Sequence, residues 1–472
     1  MLSISGQYLA RYRGLPPDGG VTLPVTGAQR RFILVRALDP TGRPDLVPMF
    51  FAFPRGTVDP VRLAAAAERL AALHPVLRGR PGVVRGTPVL RVERPDVPVV
   101  RVPRAPGEEA GTALRRALSA WTPDGPPLRL FLIDDDGTVC GDGNGDGDGD
   151  GGAAPGAGAG PDGGAEGGPG GPAAEREVLA VVLDHAVCDG TSLARIVEEL
   201  GAAYAEGPGA GAPAPADVDA GLAAYREAVL LQLDAEDRAA SPESLAYWGD
   251  RLRAVRDRSP APRPGAPAAG ARPSGSAHAL LPSPAGGVPF PELLDACRAA
   301  ARALYGPGHV VPLGYPWGGR PPGAERVLGC FLNTVVFPAA TGRAPSGAEV
   351  TADTWWDDLD RADVPFDAVV HAAREAGSGW SGRLDGLLTV DDSRQRPPLR
   401  LAGIGGREVH VDGRPVRGPF AVSVTQGPEL RLRMVWDRAV LDDRTALDAF
   451  DALAGALGTT TEAASATGRP LT

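Results

Sequence analysis

Asp184-His185 and Asp189-Gly190 are the residues of this chain best placed to do chemistry. They fall in the stretch LAVVLDHAVCDGTSLARIVEEL, from Leu179 to Leu200. The apolar run Leu179–Leu183 has the length and β-branched content of a buried strand, and it stops at Asp184-His185. Beyond it, Leu193, Ile196, Val197 and Leu200 recur at helical spacing, with Thr191 or Ser192 as the expected N-cap. His185 is therefore expected at the end of a buried strand, in the turn before a helix. A scaffold can hold a side chain there rigidly and still open to solvent. Imidazole is also the side chain best suited to accept a proton near neutral pH. A histidine in such a turn can equally be structural, so the rest of the chain must decide. Cys188, inside the same turn, has little to support a nucleophilic role.

The elements that would position these residues can be read along the chain. Met49–Phe53 and Leu128–Ile133 read as strands. Asp59-Pro60 supplies an N-cap and a proline at the first helical position. Leu63, Ala67, Leu70 and Leu73 follow on one face, and the helix should end at His74-Pro75, because the residue before proline disfavours helix. Helical patterns recur at 219–234, 246–255 and 293–304, and another starts at Pro365-Phe366. Ala421–Thr425 and Leu430–Trp436 read as an antiparallel hairpin, followed by a closing helix from about Asp443. Strands and helices mix in both halves, which predicts a layered α/β or α+β architecture. The Pro/Gly/Ala break at Gly207–Ala216 marks the expected lobe boundary, giving lobes 1–206 and 207–472.

Residues 134–174 form a low-complexity insert expected to be a disordered tether, since they offer almost no apolar surface to bury. They join two strands that should pair. Asp146, Asp148 and Asp150 resemble a calcium loop, but the twelfth position, which needs a glutamate, is Ala157. Ser259–Ser274 reads as a Pro-rich linker.

Composition narrows the function classes. The 472 residues carry 64 glycines, 49 prolines and no lysine, and the net charge is −10. That charge argues against general nucleic-acid binding, which needs a basic stripe. Cys140, Cys188, Cys297 and Cys330 are scattered, with neither zinc nor disulfide spacing. The N-terminal residues lack the apolar core of a signal peptide, and no apolar run is long enough to span a membrane. A cytoplasmic, reducing setting is the expectation.

The pattern His-x-x-x-Asp-Gly at His185–Gly190 resembles the active-site motif of the condensation-domain superfamily, which includes nonribosomal peptide synthetase condensation domains and chloramphenicol acetyltransferase-like enzymes. Six further boxes carry the resemblance along the chain. Thr26-Gly27-Ala28-Gln29-Arg30 resembles the opening Ser/Thr-x-Ala-Gln-x-Arg box. Leu73-His74-Pro75-Val76-Leu77-Arg78 resembles Arg-His-x-x-Leu-Arg. Tyr247-Trp248 matches the Tyr-Trp that follows the lobe crossing. Gly314–Arg320 resembles Gly-Thr-Pro-x-x-Gly-Arg. Leu328–Thr334 resembles Ile-Gly-x-Phe-x-Asn-Thr, and Asp363-Val364-Pro365-Phe366 matches Asp-x-Pro-Phe. Asp184 departs from the pattern, standing where the family has a first, chiefly structural histidine. Trp317 departs too, where a smaller residue is common, and the stretch before Leu293 is about one helix short.

The resemblance implies a two-lobed, V-shaped pseudo-dimer with a central tunnel. It implies that His185 is catalytic and that the Gly190 N–H helps to stabilise an oxyanion. Asp189 would pair with an arginine of the second lobe, Arg320 being the candidate, while Asp184 would be structural. Trp317 and Asn333 would belong to the substrate channel. The implied reaction joins an acyl or aminoacyl thioester, carried on the phosphopantetheine arm of a carrier protein, to an amine or hydroxyl acceptor. No metal or bound cofactor is implied, and a freestanding monomer is expected. Two alternatives stand beside this one: an acyl-CoA-dependent acyltransferase, and a catalytically silent condensation-like module that recruits partners, motivated by Asp184.

Overall fold

The computed structural model describes residues 3–16, 20–39, 45–122, 124–135, 175–258, 273–284, 286–318, 320–342, 348–395 and 397–467. Most of the insert, with Cys140 and the calcium-like loop, lies outside the described residues, as does most of the Pro-rich linker.

The strand that leads to His185, Arg176–Asp184, is the centre of a five-stranded sheet. Leu46–Pro54 and Leu128–Asp135 flank it antiparallel; Val99–Arg101 and Arg407–Val409 form the edges. Alternate residues of the central strand enter different cores. Leu179, Val181 and Leu183 pack on one side with Phe51, Phe53, Leu130 and Leu132. Val178, Ala180 and Val182 pack on the other with Phe50, Ala52, Phe131 and Ile133. Both faces are covered, so the sequence shows a continuous apolar run rather than alternation. The insert does join paired neighbours, because Asp135 faces Arg176 across the ladder.

A second sheet has six strands, in the order Asn333–Ala340, Val310–Trp317, Gly386–Asp392, Phe420–Gln426, Glu429–Trp436 and Gly275–Pro282. The Phe290–Tyr305 and Asp443–Thr467 helices cover one face, burying Leu293, Leu294, Ala449 and Leu453 against Val422, Leu432 and Met434. The layered α/β class read from the sequence is the observed one.

The cores do not divide at the Gly207–Ala216 break. Helix Pro215–Ala239 beyond it places Tyr225, Ala228, Val229 and Leu233 in the first core, whereas Trp248 of helix Pro242–Arg251 lies in the second. The core changes at Ala240–Ser241, and the earlier break is a turn within the first lobe. The second half also lends chain to the first: Leu399 and Leu401 enter one of its cores and Val409 and Val411 the other.

Candidate active site

His185 follows directly on the central strand, in a short 3₁₀ turn over His185–Val187. Three anchors fix that turn. The Asp184 carboxylate caps it, accepting the Ala186 N–H at 2.9 Å. The His185 N–H donates to the Asp45 carbonyl at 2.9 Å. The Gln29 side-chain amide donates to the Ala186 carbonyl at 2.8 Å. Gln29 is itself held in the capping box of helix Gly27–Leu38, where Thr26 and Gln29 exchange side-chain hydrogen bonds with each other's backbone. The Thr26 hydroxyl donates in turn to the Cys330 carbonyl at 2.6 Å. The opening box thus ties the histidine turn to the second half of the chain.

Asp184 is 2% exposed and pairs with Arg36 at 2.5 Å. Burial pushes its carboxyl up, against the pull of Arg36 and the Ala186 N–H. Its position and partners make it a structural anchor of the turn.

The His185 ring lies 4.7 Å from the Phe32 ring, centroid to centroid. Its Nδ1 is buried without a hydrogen-bond partner among the described residues. Burial, and next the positive charge of Arg417, push the imidazole down to about 3, so it is neutral throughout the physiological range. Arg417 pairs with the Asp45 carboxylate at 2.5 Å, and its guanidinium lies 5.3 Å from the Phe32 centroid. Phe32, Asp45 and Arg417 therefore make up the surroundings of the imidazole. None lies in a motif, because each comes from a separate segment and acts only once the chain is folded.

Asp189 and Arg320 are brought together. One Arg320 nitrogen donates to both Asp189 oxygens, at 2.6 and 2.7 Å. The second terminal nitrogen donates to the carbonyls of Ala324 and Val327. The Asp189 carboxylate also accepts the N–H of Phe331 at 3.0 Å and that of Ser192 at 2.8 Å. That last bond corrects the expected cap: Asp189, not Thr191 or Ser192, caps the helix, which begins at Gly190. Ser192 turns elsewhere, exchanging hydrogen bonds with the backbone of Gly329. Gly190 is exposed at the helix N-terminus, and a Cβ there would meet nothing within 4 Å. Its N–H belongs to the positive end of the helix dipole.

A cleft of about 580 Å³, solvent included, opens beside this assembly. The first lobe lines it with Arg31, Phe32, Gln232 and Glu236, and the second with Asn333, Asp363, Phe366 and Asp367. Phe32 thus touches both the cleft and the His185 ring. The Asn333 amide group donates to the carbonyls of Ala362 (2.8 Å) and Val364 (2.6 Å), and its oxygen accepts the Phe366 N–H. It therefore pins the Asp363–Phe366 turn to the cleft wall. Trp317 stands opposite Asn333 across the ladder and donates its indole N–H to Asp363 at 3.1 Å. It is not among the described residues that line the cleft. Cys188 is buried, and burial pushes its thiol up, away from the reactive thiolate. Among the described residues no three His, Cys, Asp or Glu side chains converge as a metal site, and no helix is long and apolar enough to cross a membrane.

No family model matches the chain. Two curated proteins resemble parts of it. The AMB antimetabolite synthetase AmbE of Pseudomonas aeruginosa is 34% identical over 172 residues, covering 34% of this chain and 8% of the relative. The probable non-canonical nonribosomal peptide synthetase CymA of Salinispora arenicola is 28% identical over 269 residues, covering 53% of this chain and 3% of the relative. The matched segments span under a tenth of the length of either relative. Solved structures match almost the whole chain. The X-domain in its complex with OxyB from teicoplanin biosynthesis superposes with a TM-score of 0.63 at 17% identity, covering 95% of both chains. The first condensation domain of the calcium-dependent antibiotic synthetase, in complex with a substrate analogue, gives 0.63 at 16%, covering 94% and 97%. The starter condensation domain of rhizomide synthetase gives 0.60 at 15%, again covering 94% and 97%. The fold is that of condensation domains.

Proposed function

We propose that this chain is a condensation-type acyltransferase of nonribosomal peptide or related biosynthesis. It joins an acyl or aminoacyl thioester, borne on the phosphopantetheine arm of a carrier protein, to an amine acceptor. One observation carries the reading: an imidazole at the end of the central strand, its turn fixed by three hydrogen bonds and its ring against Phe32, which lines a cleft shared by both lobes. The acceptor nitrogen forms a bond to the thioester carbonyl carbon as the carbon–sulfur bond breaks. The nitrogen's proton passes to His185 and from it to the departing thiolate, which leaves as a thiol. A hydroxyl acceptor would give an ester by the same transfers. An imidazole whose charged form is disfavoured by burial stays neutral and accepts a hydrogen bond, which suits it to orient the attacking amine. The Gly190 N–H, at the helix N-terminus, would face the developing oxyanion. Holding both substrates in attack geometry removes an entropic barrier, about 7–11 kcal/mol in the best models.

The test is acyl loss from a loaded carrier protein in the presence of candidate amines, read by intact-protein mass spectrometry. His185→Ala should lower turnover about 10²-fold or more while the melting temperature stays close to that of the parent. Near-normal turnover in a folded His185→Ala chain would overturn the assignment. A second reading, a silent module that binds a partner protein, draws on Asp184 locked to Arg36 and on a domain of this fold solved in complex with OxyB. It would show itself as carrier or partner binding without turnover for any donor.

A further inference from the structure

We infer that the cleft beside Phe32 binds a positively charged group of the acceptor, an alkylammonium separate from the attacking nitrogen. The inference rests on taking His185 as the reaction centre. Four observations support it. Gln232 and Glu236 line the floor and are only 7% and 5% exposed. The Gln232 Oε1 is buried there without a hydrogen-bond partner among the described residues, so the floor offers an unused acceptor. The Glu236 carboxylate accepts the Gly27 N–H at 3.0 Å and the Ser5 hydroxyl at 2.9 Å, which fixes it in place. Gly27 has to be glycine for this approach, since a Cβ would sit 2.8 Å from a Glu236 oxygen.

Charge points the same way. Asp363 and Asp367 line the opposite wall, and among the described residues Arg31 is the one basic residue of the lining. Its guanidinium lies 3.7 Å from the Phe366 ring centroid and in the field of Asp367, while burial and the neighbouring Arg417 disfavour its charge, so it answers only part of the three carboxylates around the cleft. A carboxylate entering the cleft would face Glu236 and Asp363. An ammonium would meet both, and the Gln232 oxygen, and at the buried Glu236 end water screens little. Burial pushes the Glu236 carboxyl up even against the pull of Arg30 and of its hydrogen bonds to Gly27 and Ser5, so part of the burial cost is left for an incoming cation to relieve. Phe32 spans from the cleft to the His185 ring, so a group seated here lies one side chain from the reaction centre.

Calorimetric titration of the full chain with 1,5-diaminopentane and with pentanoate tests this. The diamine should bind and pentanoate should not. Glu236→Gln keeps an acceptor for the Gly27 N–H, and Asp367→Asn changes the far wall. Each should weaken diamine binding about tenfold, the loss of one charge-assisted hydrogen bond. Thermal melts identify any variant that fails to fold, and Asp367→Asn, on the partly exposed wall, then decides. Pentanoate binding in place of the diamine, or unchanged affinity in folded variants, overturns the inference. Acyl transfer separates it from the reaction itself. If His185-dependent turnover treats pentylamine and 1,5-diaminopentane alike and ignores Asp367→Asn, the reaction stands and the ammonium site falls. If the diamine binds, binding drops in the variants, and no acyl transfer occurs, the ammonium site stands and the reaction falls.

Discussion

His185 owes its state to its neighbours. Burial under Phe32 and the charge of Arg417 both penalise the imidazolium. Arg417→Ala removes the charge, and Phe32→Ala admits water. Each should raise the His185 pKa from about 3 towards the ordinary value near 6.5, as read by NMR titration of the imidazole. A pKa unmoved in both variants would show that neither neighbour matters. The sign for stability follows from the same depression. Above pH 6.5 folded and unfolded chains both carry the neutral ring. As the pH falls from 6.5 towards 3 the unfolded chain takes up the proton first, so stability is lost across that window. Either variant should narrow the window. The sequence exposed His185 because a buried strand, a turn and a helix start are short-range patterns. It did not expose Phe32, Asp45 or Arg417, whose relation to the histidine is made only by tertiary folding. Glu236 was hidden for the same reason, since it falls just past the 219–234 pattern, between Asp234 and Asp237, where an acid reads as a solvated one.

Elements were legible where periodicity was strong. The Pro60–Leu73 helix starts at its expected cap and stops at the expected proline. The hairpin near the C-terminus pairs as its alternation predicts. The start of the helix after His185 was less legible, because Thr191 and Ser192 read as caps while Asp189, just before them, has the same capping chemistry, and the choice turns on which oxygen finds a partner across the molecule. Asp189 wins because its second oxygen also reaches Phe331 and Arg320. Asp189→Ala should therefore cost more than a cap. It also leaves Arg320 buried with its carboxylate gone, a loss of roughly 3–5 kcal/mol over the ~1 kcal/mol of a lost cap. The expected outcome is a melting temperature several degrees lower than that of His185→Ala, by differential scanning calorimetry. A smaller drop for Asp189→Ala than for His185→Ala would remove the clamp role. The Gly207–Ala216 break misled because proline and glycine mark any turn, and only packing reveals that the next helix returns to the same core.

At the scale of the molecule, the halves are not separable pieces. The strand Arg407–Val409 closes the first sheet, pairing with Phe50–Ala52. Gly406 precedes it where a Cβ would strike the Phe53 ring at 2.4 Å, so the backbone must come close there and only glycine permits it. Val409 and Val411 fill a core of the first lobe; Ala324, Leu328 and Phe331 fill another. Asp189–Arg320 and Thr26–Cys330 tie the same parts through buried hydrogen bonds. Removing the second half would leave the Phe50–Ala52 edge unpaired, Arg320's partner a lone buried carboxylate, and two cores open to water, each a destabilising change. The chain should consequently unfold as one cooperative unit, although its cores divide at Ala240–Ser241. Two measurements check this. Calorimetry of the full chain should show a single transition. Residues 1–240 expressed alone should lack a cooperative melt, and should regain one when mixed with residues 241–472. Two resolved transitions, or a native-like melt of 1–240 by itself, would mean that each lobe carries its own stability and that the crossing strand only decorates the first.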